Sequence, residues 1–147
     1  MLRLITSQQF LMRIVTALVP AAGLIASASY AQSPSTSLKS GESVYQSVCM
    51  HCHTQAIDGA PKFGDKKIWA PLIEEGQAIL TGHAWVGVRK MPPKGGKADL
   101  SQEEFARAVA FMARAAGGDW TDPDADMMKK IRHEEEKRLK DLKNGKD

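Results

Sequence analysis

Cysteine is scarce in this chain: two residues among 147, and the two stand three positions apart. A framework of several disulfides is thereby excluded. Aromatic residues make up only 6% of the chain. No run of about eighteen uncharged apolar residues occurs, so a full transmembrane helix is not expected. Charge of one sign is lacking as well. The 20 Lys and Arg against 17 Asp and Glu leave a formal +3, too small an excess to point to nucleic acid. Acidic residues are missing altogether before Glu42. What is present is a hydrophobic share of 43%, too high for a disordered chain, at a length that fits one ordinary domain.

The acid-free front has its own layout. Arg3 and Arg13 supply positive charge, and Ile14 to Ala26 form thirteen mostly apolar residues. Small residues follow, including Ser29-Tyr30-Ala31. This is the pattern of a secretory signal peptide, here residues 1–31, with cleavage before Gln32. A retained anchor helix ranks second. Thirteen residues rise about 20 Å against a hydrocarbon core of ~30 Å, and Pro20 interrupts the run. Residues 32–37 contain Ser and Pro and read as a flexible lead-in. Removing the leader takes two arginines and no acid, leaving 18 basic and 17 acidic side chains. The expected destination is the periplasm, where oxidising conditions make two free thiols a feature that needs a reason.

That reason is the run Cys49-Met50-His51-Cys52-His53, which fits C-x-x-C-H, the attachment signature of c-type haem. Two cysteines three apart on a helical turn share a face, so both thiols reach one porphyrin edge. His53 follows directly and supplies the proximal nitrogen. Its other ring nitrogen needs an acceptor, for which the carbonyl of Pro61 in Gly59-Ala60-Pro61 is a candidate. Three other readings compete. A thioredoxin-like pair needs a strand before the motif, and no alternating pattern precedes Cys49. A zinc site wants four ligands, usually from two separated pairs, and only one cysteine pair exists. A disulfide across so short a loop is strained.

The iron then has a sixth position to fill or leave open. Of the seven methionines, Met112, Met127 and Met128 fall on expected helices, where packing is the ordinary role. Met91 differs. It opens Met91-Pro92-Pro93-Lys94-Gly95-Gly96, where two prolines stiffen the backbone and two glycines permit a tight turn. His83, in what reads as a loop, is the competing ligand.

Gly41-Glu42-x-Val44-Tyr45, the C-x-x-C-H motif, Gly59-Ala60-Pro61-Lys62-x-Gly64-Asp65-Lys66, Trp69-Ala70-Pro71 and the Met91 loop together resemble a small monohaem class I cytochrome c, most nearly the bacterial cytochrome c5 family. The resemblance spans about residues 38–116 and includes the order and spacing of these segments. It implies thioether links from one haem c to Cys49 and Cys52, axial ligands His53 and Met91, and Pro61 as the carbonyl partner of His53. It implies an all-α fold of about four short helices around the haem, with Gly41 and Tyr45 of the first helix meeting Ala108 and Phe111 of the last. Many relatives carry a further cysteine pair beside the methionine loop. Here Lys97 stands at that place, so the loop is held by packing alone.

The residues place the elements. Ser40 caps a helix from Gly41 to Cys49, and Asp65 caps a short one from Lys66 that Pro71 keeps brief. Residues 77–80 form another short helix. Ser101 with Glu104 makes a capping box, opening a helix that ends at Gly117-Gly118. The haem domain is thus 38–118, and residues 119–147 make a charged helical tail. In the tail Thr121 or Asp122 caps, and Met128, Ile131, Leu139 and Leu142 form a thin apolar stripe. A solvated helix is the expected reading, with a docking helix as the alternative.

With two protein ligands on the iron there is no open position for a substrate. One-electron transfer follows, without enzymatic turnover. Residues 62–97 hold seven Lys and Arg against three acids, so the expected partners are redox proteins with acidic docking surfaces. Transient association with membrane respiratory complexes and a monomeric or weakly dimeric state complete the expectation. A haem sensor or small catalytic haem protein with a labile Met91, and a fixed cytochrome subunit of a respiratory complex, are the alternatives.

Overall fold

A computed structural model describes residues 37–146. The leader at 1–31 and nearly all of the lead-in lie outside the described residues. Six α-helices follow in chain order: α1 Gly41–Val44, α2 Met50–His53, α3 Lys66–Glu75, α4 Gln77–Val86, α5 Gln102–Ala115 and α6 Ala125–Lys143. No strand is present among the described residues, in keeping with the all-α expectation.

The first helix runs further than expected. Between α1 and α2, residues Tyr45–Cys49 form a π-helical turn, in which the Met50 N–H donates to Tyr45 O five residues back. The chain therefore stays helical through His53, and both cysteines ride on one continuous element. Single π turns of this kind favour functional sites, because the extra residue re-aims the side chains that follow. Ser40 caps the start through its side chain, which accepts from Ser43 N–H.

α1 crosses α5 where Gly41 lies against the Arg107 carbonyl, so closely that any Cβ at position 41 would collide with it. Phe111 takes part as expected, its Cβ 3.1 Å from where a Gly41 Cβ would be. Tyr45 packs on Phe111, ring centroids 5.6 Å apart, and stacks on Phe63 at 4.3 Å. The capping box forms as read: Ser101 accepts from Glu104 N–H, and Glu104 reaches back to Ser101 N–H. The same carboxylate accepts from Lys39 N–H at 3.0 Å, which ties the start of the described chain to α5 and holds the Glu104 carboxyl below its usual range. At the other end the Gly118 N–H bonds to Ala113 O and the Gly117 N–H to Arg114 O. These are the two bonds of a Schellman stop.

Three expectations change. Pro71 does not shorten α3; it sits inside a ten-residue helix that runs to Glu75. Its missing N–H costs one helical bond at an exposed position, and Asp65 offsets this at the start by accepting from Lys67 and Ile68 N–H. The short helix at 77–80 continues to Val86 as α4, which puts His83 on a helix and not on a loop. The tail cap is Asp124, whose carboxylate accepts from Met127 N–H at 2.7 Å. Pro123 restricts Asp122 and delays the start, and Asp122 pairs instead with Arg114 at 3.0 Å.

The tail is not a solvated rod. α6 lies along α4, with Ile131 fully buried and Met128 nearly so. The approach is close enough that a Cβ on Gly82 would come within 2.9 Å of the Glu134 Cβ. Gln77 Nε2 donates to Thr121 O and fastens the connector leading into α6. Leu139 and Leu142, further along the same helix, are exposed.

Candidate functional site

The residues that the sequence assigns to haem attachment converge on one partly open cleft of about 290 Å³. Cys49, Cys52 and His53 enter it from the first helical element, Pro61 from the segment that follows, and Met91 from the loop after α4. Its remaining walls are mostly apolar: Val48, Trp69, Leu72, Leu80, Ala84 and Val109. Cys49 is buried and Cys52 exposed. Burial pushes the Cys49 thiol up to about 11, so a free thiol there stays protonated at neutral pH.

His53 is 6% exposed, and its Nδ1 lies 2.8 Å from Pro61 O. A carbonyl accepts, so Nδ1 carries the proton and Nε2 keeps a free lone pair. The neighbouring backbone locks this arrangement. Phe63 N–H donates to His53 O at 2.8 Å, and the Trp69 indole donates to Lys62 O at 2.9 Å. The Trp69 and His53 ring centroids are 6.4 Å apart, so Trp69 both braces the strap and walls the cleft. Tyr45 Oη and Thr54 Oγ1, 3.1 Å apart, tie the helix to the start of this strap. Nothing in the sequence spacing of Trp69 and Tyr45 revealed the polar half of their roles.

The Met91 loop begins where α4 stops. Val88 and Met91 exchange two backbone bonds, at 2.9 and 3.2 Å, around a turn whose Arg89 takes a left-handed backbone. The loop then tightens through Lys94, Gly95 and Gly96, all with positive φ. Met91 is half-buried against the core. Met50 and His51 are exposed and border no part of the cleft, as the motif requires of its variable positions. Two further residues border it. Met112 comes from α5 and is buried in the core. His83 comes from α4 and is half-buried; burial and the nearby Arg138 hold its imidazole below the usual range, favouring the neutral ring.

This donor set fits a haem. Two thiols sit on one helix, one imidazole has its second nitrogen already engaged, one thioether lies on a separate segment, and an apolar cleft receives all four. The rim is less basic than the sequence count implies. Arg89 and Lys90 stand at the mouth, but so do Asp58 and Glu75, and Lys90 pairs with Asp58 at 3.4 Å.

Known proteins give the same reading. Residues 36–112 match the family described as cytochrome c oxidase, cbb3-type, subunit III. The chain is 37% identical over 100 residues to cytochrome c-555 of Chlorobaculum tepidum, covering 65% of this chain and 89% of that protein. It is 32% identical over 77 residues to cytochrome c5 of Azotobacter vinelandii, covering 51% of this chain and 93% of that protein. Among solved structures it resembles a chain from the electron transfer complex of nitrite reductase with cytochrome c. That match has 41% identity and a TM-score of 0.50, and covers 52% of this chain and 93% of the other.

Proposed function

Because the chain belongs to the cytochrome c family, as a small monohaem class I member carrying haem c, we propose that it is an exported, periplasmic electron carrier that shuttles single electrons between redox proteins. The observation that carries the reading is the convergence of Cys49, Cys52, His53 and Met91 on one apolar cleft. The haem supplies a one-electron iron couple. The chain's own residues do the rest. Cys49 and Cys52 would hold the porphyrin edge as thioethers. His53 offers Nε2 to the metal while Pro61 O keeps its ring from turning. Met91 offers its sulfur from the loop. Ligation by both His53 and Met91 would leave no place on the metal for a substrate.

The cleft also sets the direction of tuning. Apolar walls disfavour net charge, and with neutral His and Met ligands the ferric core keeps one positive charge that the ferrous core lacks. The reduced state is favoured, and the potential is expected to be clearly positive. The side chains that enforce this are Leu72, Leu80 and Val109.

The partners are redox proteins. A reductase is one class, by likeness to the cytochrome that forms a complex with nitrite reductase. Arg89 and Lys90 at the mouth suit partners with acidic surfaces, although Asp58 and Glu75 temper the attraction. The test is electron exchange with an acidic redox protein across a range of salt. Rates are expected to fall as ionic strength rises, and native ferrous protein is expected to bind carbon monoxide slowly. Rapid carbon monoxide binding would replace this reading with a sensor or catalytic one.

The match to an oxidase subunit favours a second reading, a fixed cytochrome subunit. Among the described residues no helix is long and apolar enough to cross a membrane. Stable co-purification with a membrane oxidase would decide for it.

A further inference from the structure

One polar cluster outside the cleft is required neither by the haem motif nor by the helix crossing, and it joins α6 to the Met91 loop. Trp85 stands in the last turn of α4, just before the chain turns into that loop. Its indole N–H donates to Glu135 Oε1 at 3.1 Å. The second oxygen of the same carboxylate accepts from Gln102 Nε2 at 2.6 Å, at the start of α5. Phe105 meets the Trp85 ring edge-on, centroids 5.3 Å apart. The ring is thereby held through its nitrogen by α6 and through its edge by α5. Against it rests Lys94 Nζ, 4.8 Å from the ring centroid.

Lys94 is part of the loop, three residues beyond Met91. Its ammonium also donates to Ala98 O at 3.3 Å, so the side chain bridges the tryptophan and the loop's exit. A cation over an indole is attracted only where the ring face stays turned toward it. An indole free to swing about its side-chain bonds would not offer that face. The carboxylate of Glu135 removes this freedom with a charge-assisted bond, the stronger kind. No further cysteine pair is available to do the same work.

We infer that Glu135 is a positioning residue for the haem's sulfur ligand: through Trp85 and Lys94 it holds the Met91 loop in place from α6. The residues matched to the family end at 112, so Glu135 lies beyond them while Trp85, Lys94 and Gln102 lie within. The inference rests on the proposed ligation by Met91, and the test separates the two.

The haem-loaded full chain is compared with Glu135→Ala and Trp85→Phe, which remove the bond from either end. Glu135→Gln keeps an acceptor for the indole N–H. Ser40→Ala lowers stability by removing the α1 cap, away from α6 and outside the cleft. The first readout is the rate at which cyanide abolishes the far-red methionine–ferric band. The second is hydrogen exchange of residues 87–97 in the reduced protein. Both are expected to quicken about tenfold in Glu135→Ala and Trp85→Phe, as loss of one hydrogen bond to a charged group implies. Both should stay near the wild-type rate in Glu135→Gln and Ser40→Ala. Unchanged rates in the first two variants, or an equal rise in Ser40→Ala, would overturn the inference. Should the wild type lack the far-red band, the ligation reading falls, and exchange at 87–97 alone decides whether Glu135 holds the loop.

Discussion

Two helix pairs close over a glycine in this molecule, and they serve different ends. At the α1–α5 crossing Gly41 meets the Arg107 backbone. This pair places the haem-bearing helix and buries Val44, Phe105, Ala108 and Val109. At the α4–α6 contact Gly82 meets Glu134 and Glu135. There Met128 and Ile131 of α6 form a separate small apolar cluster with Ala106 of α5. The first is inseparable from the cofactor pocket. The second buttresses the pocket from behind, through the helix that delivers the Met91 loop. Close approach without a Cβ is thus used once to build a site and once to brace it.

The haem-bearing pair carries the largest expected effects. Replacing Cys49 and Cys52 together by Ala is expected to abolish haem attachment and cooperative unfolding, because a domain of this size draws much of its apolar volume from the cofactor. A sharp thermal transition in that variant would show the helices self-sufficient. Gly41→Ala is expected next, at about 3 kcal/mol, since two backbones must separate. Urea unfolding of the holoprotein reads it directly. Ile131→Ala, at a fully buried site, should cost about 2–3 kcal/mol while leaving the haem spectrum unchanged. Gly82→Ala should cost about 1 kcal/mol, because α6 can shift as a unit. Had the α4–α6 pair been part of the haem site itself, these last two variants would disturb the spectrum as Gly41→Ala does.

The smallest effect concerns pH. The folded His83 imidazole is held below its ordinary value by burial first and by Arg138 second. The unfolded chain therefore binds this proton more readily, so stability falls as pH drops through the ordinary histidine range and is kept above it. The ring is only half-buried, so solvent screening keeps the effect small. His83→Gln should flatten the slope of melting temperature between pH 7 and about pH 5. An unchanged slope would assign that dependence to other groups.

How much of this was legible beforehand differs between the same two pairs. The C-x-x-C-H run, the Met91 loop, the capping box and the Asp65 cap are local signals, complete within a few residues, and the structure forms each of them. Gly41 against Phe111 came from likeness to a family whose members share that crossing. α6 had neither aid. Its stripe of Met128 and Ile131 is thin among charges, and periodicity alone could not say that a groove on α4 awaited it. Trp85 and Glu135 lie 50 residues apart in sequence, and no local pattern connects them. The π turn before Met50 was equally hidden, because its residues would serve an ordinary helix as well.

On the proposed reading, His53 and Met91 would both ligate the iron of a covalently held haem. Optical spectra of the full-length protein in both oxidation states, beside a Met91→Ala variant, test it most directly. The ferric wild type is expected to show the far-red methionine band, and the variant is expected to lose it and bind cyanide rapidly. A wild-type spectrum typical of two histidines, or a band that survives in Met91→Ala, would contradict the claim.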